Sequence, residues 1–236
     1  MVSIILPTYN ERDTLPLLVR QIFSTLEVPC EVIVVDDDSP DRTWELAQQL
    51  RNTYPSLKVI RRTEEKGLTS AILRGIKEAR GKIICWMDCD LSMPPEILAK
   101  MIKEINGYDL VVGSRFLPGG KDARPFSYPK IFSRIINILS QLLLYADFHD
   151  YTSGFIAIKK KVIEKVGLEG DYGEYFILLI TRAKKLGYKV KEIPYTCKGR
   201  EIGKSKTAPD FLKFFSIGVK YLKMLIWAFM EKWQRV

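Results

Sequence analysis

Cysteine is scarce, and its placement excludes the structures that cysteine usually builds. The chain holds four, Cys30, Cys85, Cys89 and Cys197, and no two of them stand in a Cys-x-x-Cys pair. Neither disulfides nor zinc is expected, and the compartment reads as reducing. Cys30 and Cys85 fall in apolar runs and read as core residues. Histidine is scarcer still, with His149 alone. It stands beside Asp150 and invites a catalytic reading, but a structural role is expected, because the chemistry read from the rest of the chain needs no imidazole. Long hydrophobic runs are missing as well. No uncharged apolar stretch reaches the roughly 18 residues of a membrane span, so no transmembrane helix is expected. The first apolar run starts almost at Met1 and reads as a strand, so no signal peptide is expected. No internal repeat or low-complexity segment is visible.

What the chain has in excess is positive charge. Its 37 Lys+Arg outnumber its 28 Asp+Glu, for a net charge of +9. Such a balance suggests an anionic partner: a nucleotide, a phospholipid surface or a nucleic acid. The 236 residues, 47% of them hydrophobic, are enough for one large α/β domain with a full core.

Within that domain one stretch organises the rest, Lys82-Ile-Ile-Cys-Trp-Met-Asp88-Cys89-Asp90-Leu-Ser92-Met-Pro-Pro-Glu96. Ile83 to Met87 reads as a buried strand, and Pro94-Pro95 stops it and opens a helix. Asp88 and Asp90 share a face, because strand side chains alternate. Two acids at the end of a buried strand repel each other and resist desolvation, so a cation is expected between them. Mg²⁺ or Mn²⁺ fits, since such ions take one or two carboxylates together with phosphate oxygens.

The rest of the first half alternates in the same way. Strands are expected at Val2–Leu6, Glu31–Val35, Leu57–Ile60 and Tyr108–Gly113, with helices at Leu15–Leu26, after Asp41 through Leu50, Gly67–Arg80 and Leu98–Ile105. That βαβ pattern predicts a mostly parallel, doubly wound sheet. Polar loops follow four of the strands: Pro7–Glu11, Asp36–Asp41, Asp88–Ser92 and Ser114–Arg115. In an open parallel sheet these strand ends share one edge, where ligands bind. The second half is less regular. Pro118–Pro129 reads as a mobile loop, Ile131–Tyr145 as a helix, Phe155–Ile158 as a strand, Tyr175–Leu186 as a helix and Lys189–Ile193 as a strand. Gly199–Lys206 is a basic loop, and Phe211–Trp233 is one long hydrophobic helix.

The motifs together resemble glycosyltransferase family 2, the nucleotide-sugar transferases of the GT-A fold. The matching segments are Leu6-Pro-Thr-Tyr-Asn-Glu11, Val34-Val-Asp-Asp-Asp-Ser-Pro-Asp41, Lys66-Gly-Leu-Thr-Ser-Ala71 with Gly75, Met87-Asp-Cys-Asp-Leu-Ser92 and Gly113-Ser-Arg-Phe116. Asp150-Tyr-Thr-Ser-Gly-Phe155, Arg182-Ala-Lys-Lys-Leu-Gly-Tyr188 and Arg200-Glu-Ile-Gly-Lys-Ser-Lys206 continue the series. The last of these resembles members that transfer onto a polyprenyl phosphate. The resemblance implies a GT-A catalytic domain over residues 1–208 and inverting transfer of mannose from GDP-mannose to dolichyl phosphate. UDP-glucose as donor, or a glycan as acceptor, stays open as the alternative. A basic nucleotide- or nucleic-acid-binding protein without catalysis is the rival from another class. It is disfavoured because strand-end acids repel phosphate in the absence of a metal, so no nucleic-acid partner is expected.

The resemblance also assigns residues. Pro7, Tyr9 and Glu11 would hold base and ribose, with Val35 and Asp37 completing that pocket and Asp37 accepting a base N–H. Asp88 and Cys89 would border the ribose or sugar. Asp88, Asp90 and Ser92 would hold the metal, Ser92 standing where many members carry Gln. Arg115, Arg200 and Lys206 would meet the phosphates. Pro129 replaces an arginine common in the family, so Ser133 and Arg134, with Arg200, are expected at the acceptor phosphate. A phosphate acceptor is already ionised near neutral pH, so no general base is assigned, Asp150 included.

The acceptor lipid lies in a bilayer, and residues 209–236 offer a way to reach it. At 100° per residue Lys213, Lys220 and Lys223 fall with Ser216 and Trp227 in an arc of roughly 80°, and nearly everything else is apolar. An amphipathic helix on the cytoplasmic face of a membrane is expected, its lysines at headgroup level and the apolar face of Ile131–Tyr145 beside it. A small membrane-spanning partner subunit is the other candidate to cover it.

Overall fold

The computed structural model describes residues 1–200 and 211–234. The chain runs β1 (Val2–Thr8), α1 (Leu15–Thr25), β2 (Cys30–Asp36), α2 (Thr43–Leu50), β3 (Leu57–Arg61), α3 (Leu68–Glu78), β4 (Ile83–Trp86), α4 (Pro95–Glu104) and β5 (Leu110–Ser114). It continues with β6 (Lys121–Asp122), α5 (Tyr128–Leu143), β7 (Ile156–Lys159), α6 (Lys160–Val166), α7 (Tyr175–Lys185), β8 (Val190–Pro194), β9 (Thr196–Cys197) and α8 (Phe211–Trp233). Seven strands form one sheet in the order β3-β2-β1-β4-β7-β5-β8. All neighbours pair in parallel except β7, which runs antiparallel to both β4 and β5. The expected α/β architecture is therefore present, with one reversed strand inserted into an otherwise parallel sheet.

The register follows from burial on both faces. Ile5, Ile33, Val35 and Trp86 point into one apolar cluster, and Ile4, Leu6, Val32, Val34, Cys85 and Met87 point into the other. Strand side chains alternate, so each strand feeds both layers of helices, and its sequence reads as an unbroken apolar run. Gly75 lets α3 lie close on β1, because a Cβ there would stand 2.5 Å from the Ile5 side chain.

Differences from the expected elements are concentrated in the second half. Residues 118–129 are not one loop. They contain β6, which pairs with β9 in a separate parallel ribbon, and α5 begins at Tyr128. Pro129 sits in the first turn of α5, where a missing N–H costs nothing. The ribbon strands are two residues long, too short to carry a period. The seven-residue α6 opens on two lysines and carries a single turn of apolar stripe, Val162, Ile163 and Val166, too short to stand out.

Helix α8 packs on α7 and α5. Met224, Leu225 and Ala228 are buried, Tyr221 meets Phe132 edge-on with centroids 5.8 Å apart, and Arg182 on α7 forks onto the Glu231 carboxylate. No helix among the described residues is long and apolar enough to cross a membrane.

Candidate active site

The carboxyl ends of β1, β2 and β4 meet at one sheet edge, and each ends in acid or polar residues. Backbone geometry there is tight. Asn10, Asp38 and Leu91 have φ of 55°, 56° and 66°, in the left-handed region that side chains with a Cβ seldom adopt. Asn and Asp tolerate it, but Leu91 between Asp90 and Ser92 does not do so freely, and such strain gathers at functional sites.

The aspartates at this edge fall into two kinds. Asp36 is buried and fully engaged: it accepts from the Thr8 hydroxyl at 2.9 Å, the Ser39 amide at 2.8 Å and the Ser39 hydroxyl at 2.6 Å. Asp37 is held between the buried Arg62 and the Gly67 amide, the latter donating to Oδ2 at 2.8 Å. Asp88 and Asp90 have far less. Asp90 Oδ1 accepts from the Ser92 amide at 3.1 Å, and its Oδ2 lies 3.7 Å from Arg200 Nε. Asp88 is open to solvent at the floor of the site, and among the described residues its carboxylate has no hydrogen-bond donor. Solvent reaches Asp88, yet the protein crowded around its carboxyl group, then the Asp90 and Glu11 carboxylates, push its pKa up to about 7, against the opposing pull of Arg200 and Arg115.

Glu11 completes the acidic floor. Its amide donates to Thr43 Oγ1, and its carboxylate takes Thr14 Oγ1 at 2.9 Å and Arg200 at 2.7 and 3.2 Å. Arg200 therefore neutralises Glu11 and Asp90 together. Three carboxylates around one guanidinium leave an unbalanced negative charge on the floor. Among the described residues no three His, Cys, Asp or Glu side chains form a ready-made metal cage. The donor chemistry nevertheless fits a hard divalent ion. Asp88 and Asp90 are oxygen donors, one of them short of hydrogen bonds, and Mg²⁺ typically takes one or two carboxylates plus phosphate oxygens.

The other assigned residues distribute unevenly. Tyr9 is exposed beside this floor, with Lys66 Nζ 5.7 Å from its ring centroid, and Pro7 is half-buried in β1. Val35 is wholly buried, and Cys89 turns its side chain into the core. Ser92 is buried next to Asp90. Lys206 lies outside the described residues.

Arg115 is not aimed at open solvent. Its amide and Nε donate to Asp150 Oδ2 at 2.9 and 2.8 Å. Nη2 reaches Asp150 Oδ1 at 2.7 Å and both oxygens of Thr152 at 2.8 Å. Burial works against its charge, but the Asp150 carboxylate outweighs it and holds the guanidinium well above its ordinary pKa. Thr152 in turn meets Ser133 Oγ at 2.7 Å and Asn137 Nδ2 at 2.8 Å. Ser133 thus belongs to a buried network tying β5 to α5. Arg134, one residue on, is exposed, with its guanidinium 5.0 Å from the Phe116 ring centroid, and Arg115 lies 5.1 Å from the same centroid. Phe116, Phe126, Ile131 and Ile135 line an apolar groove of about 290 Å³, together with the cations Lys130 and Arg134 and with Asp122, whose carboxylate pairs with Arg124 at 2.6 Å. His149 Nδ1 pairs with Glu192 at 2.8 Å, well suited to a structural role.

Residue-type reasoning missed Asp150 as the partner of Arg115, gave Thr152 and Asn137 no role, and passed over Arg62. Only the Asp150-Tyr-Thr-Ser-Gly run marked that region.

Comparison with known proteins now bears on this edge. Residues 3–167 match the family model described as glycosyl transferase family 2. The chain belongs to that family. A protein of Pyrococcus furiosus named dolichol-phosphate mannosyltransferase is 46% identical over 210 residues. That match takes in 87% of this chain but 58% of the relative, so the chain spans little more than half that protein's length. A Mycolicibacterium smegmatis protein named polyprenol monophosphomannose synthase is 37% identical, covering 86% of this chain and 79% of that one. In three dimensions the family 2 chain is similar to glucosyl-3-phosphoglycerate synthase of Mycobacterium tuberculosis, solved with Mn²⁺, UDP and glucosyl-3-phosphoglycerate. The TM-score is 0.71 at 17% identity, over 97% of this chain and 79% of that one, which supports the GT-A fold alone.

Proposed function

We propose that this family 2 chain transfers mannose from GDP-mannose to dolichyl or another polyprenyl phosphate, with inversion at the anomeric carbon. The observation that carries the reading is the pairing of an under-neutralised acidic floor, Asp88, Asp90 and Glu11, with Arg200 directly above it. Such a floor suits a nucleoside diphosphate that arrives with a divalent cation. The names of the two relatives support the mannosyl and polyprenyl parts.

In this reading Asp88 and Asp90, with Ser92 beside them, hold Mg²⁺ or Mn²⁺, which when bound would neutralise charge growing on the leaving diphosphate. Arg200 exchanges Glu11 and Asp90 for phosphate oxygens. Tyr9, Pro7, Glu11 and Asp37 surround the nucleoside. Arg134 and Lys130 at the rim of the groove receive the acceptor phosphate. Arg115 and Asp150 brace the wall between donor and acceptor.

The apolar surface supports a membrane setting. Phe215, Leu222, Ile226, Phe229, Met230 and Trp233 on α8 are exposed and fall in an arc of roughly 100° at 100° per residue. Lys223, Trp227 and Lys220 follow beyond one edge of that arc, at roughly 20°, 60° and 80° from it. Lys220 pairs with Asp171 at 2.7 Å, and Arg182 stands 5.7 Å from the Trp227 ring. The side chain of Lys213 lies outside the described residues. Ile131, Ile135, Ile138 and Leu142 expose a second apolar stripe on α5. We read the two stripes as one face lying on the cytoplasmic leaflet, with the cationic rim at headgroup level.

The deciding experiment incubates the full chain with a panel of nucleotide sugars, dolichyl phosphate in vesicles and Mn²⁺ or Mg²⁺. The expected product is mannosyl phosphoryl dolichol from GDP-mannose, lost in EDTA. Transfer from UDP-glucose alone, or transfer undiminished by chelator, overturns the corresponding part.

A further inference from the structure

Arg62 is absent from every role assigned so far, yet few guanidiniums in the chain are bound so completely. Its side chain is 4% exposed. Nε donates to Asp37 Oδ1 at 2.7 Å, and Nη2 donates to the same oxygen. Nη2 also reaches the Gly67 carbonyl at 2.9 Å, while Nη1 reaches Ser70 Oγ at 2.8 Å and lies 3.4 Å from Glu65. Gly67 closes the ring by donating its amide to Asp37 Oδ2. Its φ of 137° is one that a side chain would strain, so the ring is built around that glycine.

We propose that Arg62 is a positioning residue for nucleotide binding, holding Asp37 so that a single acceptor position is left for a ligand. A carboxylate offers about four lone-pair positions, two on each oxygen. Arg62 takes both on Oδ1, and Gly67 takes one on Oδ2. Asp37 is 8% exposed, so what remains is one position on Oδ2 at a narrow opening. Guanine presents two adjacent donors, N1–H and the N2 amino group. A carboxylate that reads both needs a vacant position on each oxygen, and Oδ1 has none. Asp37 therefore accepts one N–H, as it would from uracil, and the choice of base is made by other groups in the pocket. This inference rests on Asp37 contacting the base.

The test compares binding of GDP and of pyrophosphate to the full chain with Mn²⁺. Pyrophosphate reports the diphosphate end alone. Lysine keeps the charge of Arg62 but cannot donate twice to one oxygen while also spanning Gly67 and Ser70. Arg62→Lys is expected to weaken GDP about tenfold and leave pyrophosphate within about twofold, because one hydrogen bond to a charged group is lost at the base end. UDP is expected to weaken by the same factor as GDP. Ser70→Ala removes only one of the Arg62 bonds and serves if the lysine variant does not fold, with the same split at about threefold. Asp37→Asn locates the base contact independently. If it leaves GDP affinity unchanged, the reading of Asp37 itself is wrong. If it weakens GDP while the Arg62 and Ser70 variants do not, or if those variants lose pyrophosphate as much as GDP, Arg62 does not position the base contact.

Discussion

Two pairs of aspartates stand at the ends of the two strands that flank β1, and they are chemically opposite. Asp36 and Asp37 at the end of β2 receive hydrogen bonds from Thr8, Ser39, Arg62 and Gly67. Asp88 and Asp90 just past β4 receive one backbone amide and a distant guanidinium, and the Asp88 pKa is pushed up to about 7. Residue type is the same in both pairs. The difference lies in how many donors each carboxylate meets. Where the count is full, as at Asp36, the acid is part of the frame, and Asp37 keeps a single acceptor position beside it. Where it is short, the acid is left to be satisfied by something that binds.

Substitutions sharpen this contrast by separating activity from stability. The largest effect is expected at Asp90. Asp90→Ala should lower transfer kcat/KM on the order of 10²–10³-fold, the scale of losing one preorganised charge contact, with the melting temperature nearly unchanged. Near-native turnover would place the cation elsewhere. Arg115→Ala should do the reverse. It strands the fully buried Asp150 carboxylate, and breaking such a pair typically costs about 3–5 kcal/mol, read as a lower denaturation midpoint at constant slope. An Arg115→Ala chain of wild-type stability would show instead that Arg115 serves the ligand and not the frame. Asp36→Ala should cost less, about 1–3 kcal/mol, since it leaves the Thr8 and Ser39 donors unmet. A transfer loss with intact stability there would erase the distinction between the two pairs.

The smallest expected change concerns the apolar face. Ile138→Glu with Ile226→Glu should leave soluble nucleotide binding unchanged and reduce flotation with anionic vesicles. Both side chains are exposed, at 48% and 59%, so the fold loses little. Unchanged flotation means that this face does not meet lipid.

How much of this was legible beforehand follows from the range of the interactions. The strand ends and Asp-x-Asp could be read because alternation and βαβ order are local signals, and α8 was bounded at Phe211–Trp233 for the same reason. The direction of β7 was not legible. Ile156–Lys159 has the composition of any buried strand, and pairing direction is set by the connection, not by the residues. Partners distant in sequence were equally hidden. Arg115 and Asp150 are 35 residues apart, and Arg62 and Asp37 are 25 apart. Nothing periodic links such pairs. Arg115, expected at the phosphates, is for that reason found in an ion pair whose other half had been left without a role. Cys89, assigned to the donor by the resemblance, has its side chain in the core, as alternation between Asp88 and Asp90 requires.

The central claim is that Asp88 and Asp90 await a cation, and direct titration of Mn²⁺ by electron paramagnetic resonance, with GDP present, tests it. One bound ion is expected at pH 8. Because the raised pKa of Asp88 lets a proton compete with the metal, affinity should fall about tenfold on going to pH 6. Asp88→Asn should weaken binding at pH 8 and flatten that pH dependence, and Asp90→Ala should abolish the bound signal. Undiminished Mn²⁺ binding in both variants, with the same pH profile as the unaltered chain, would contradict the claim.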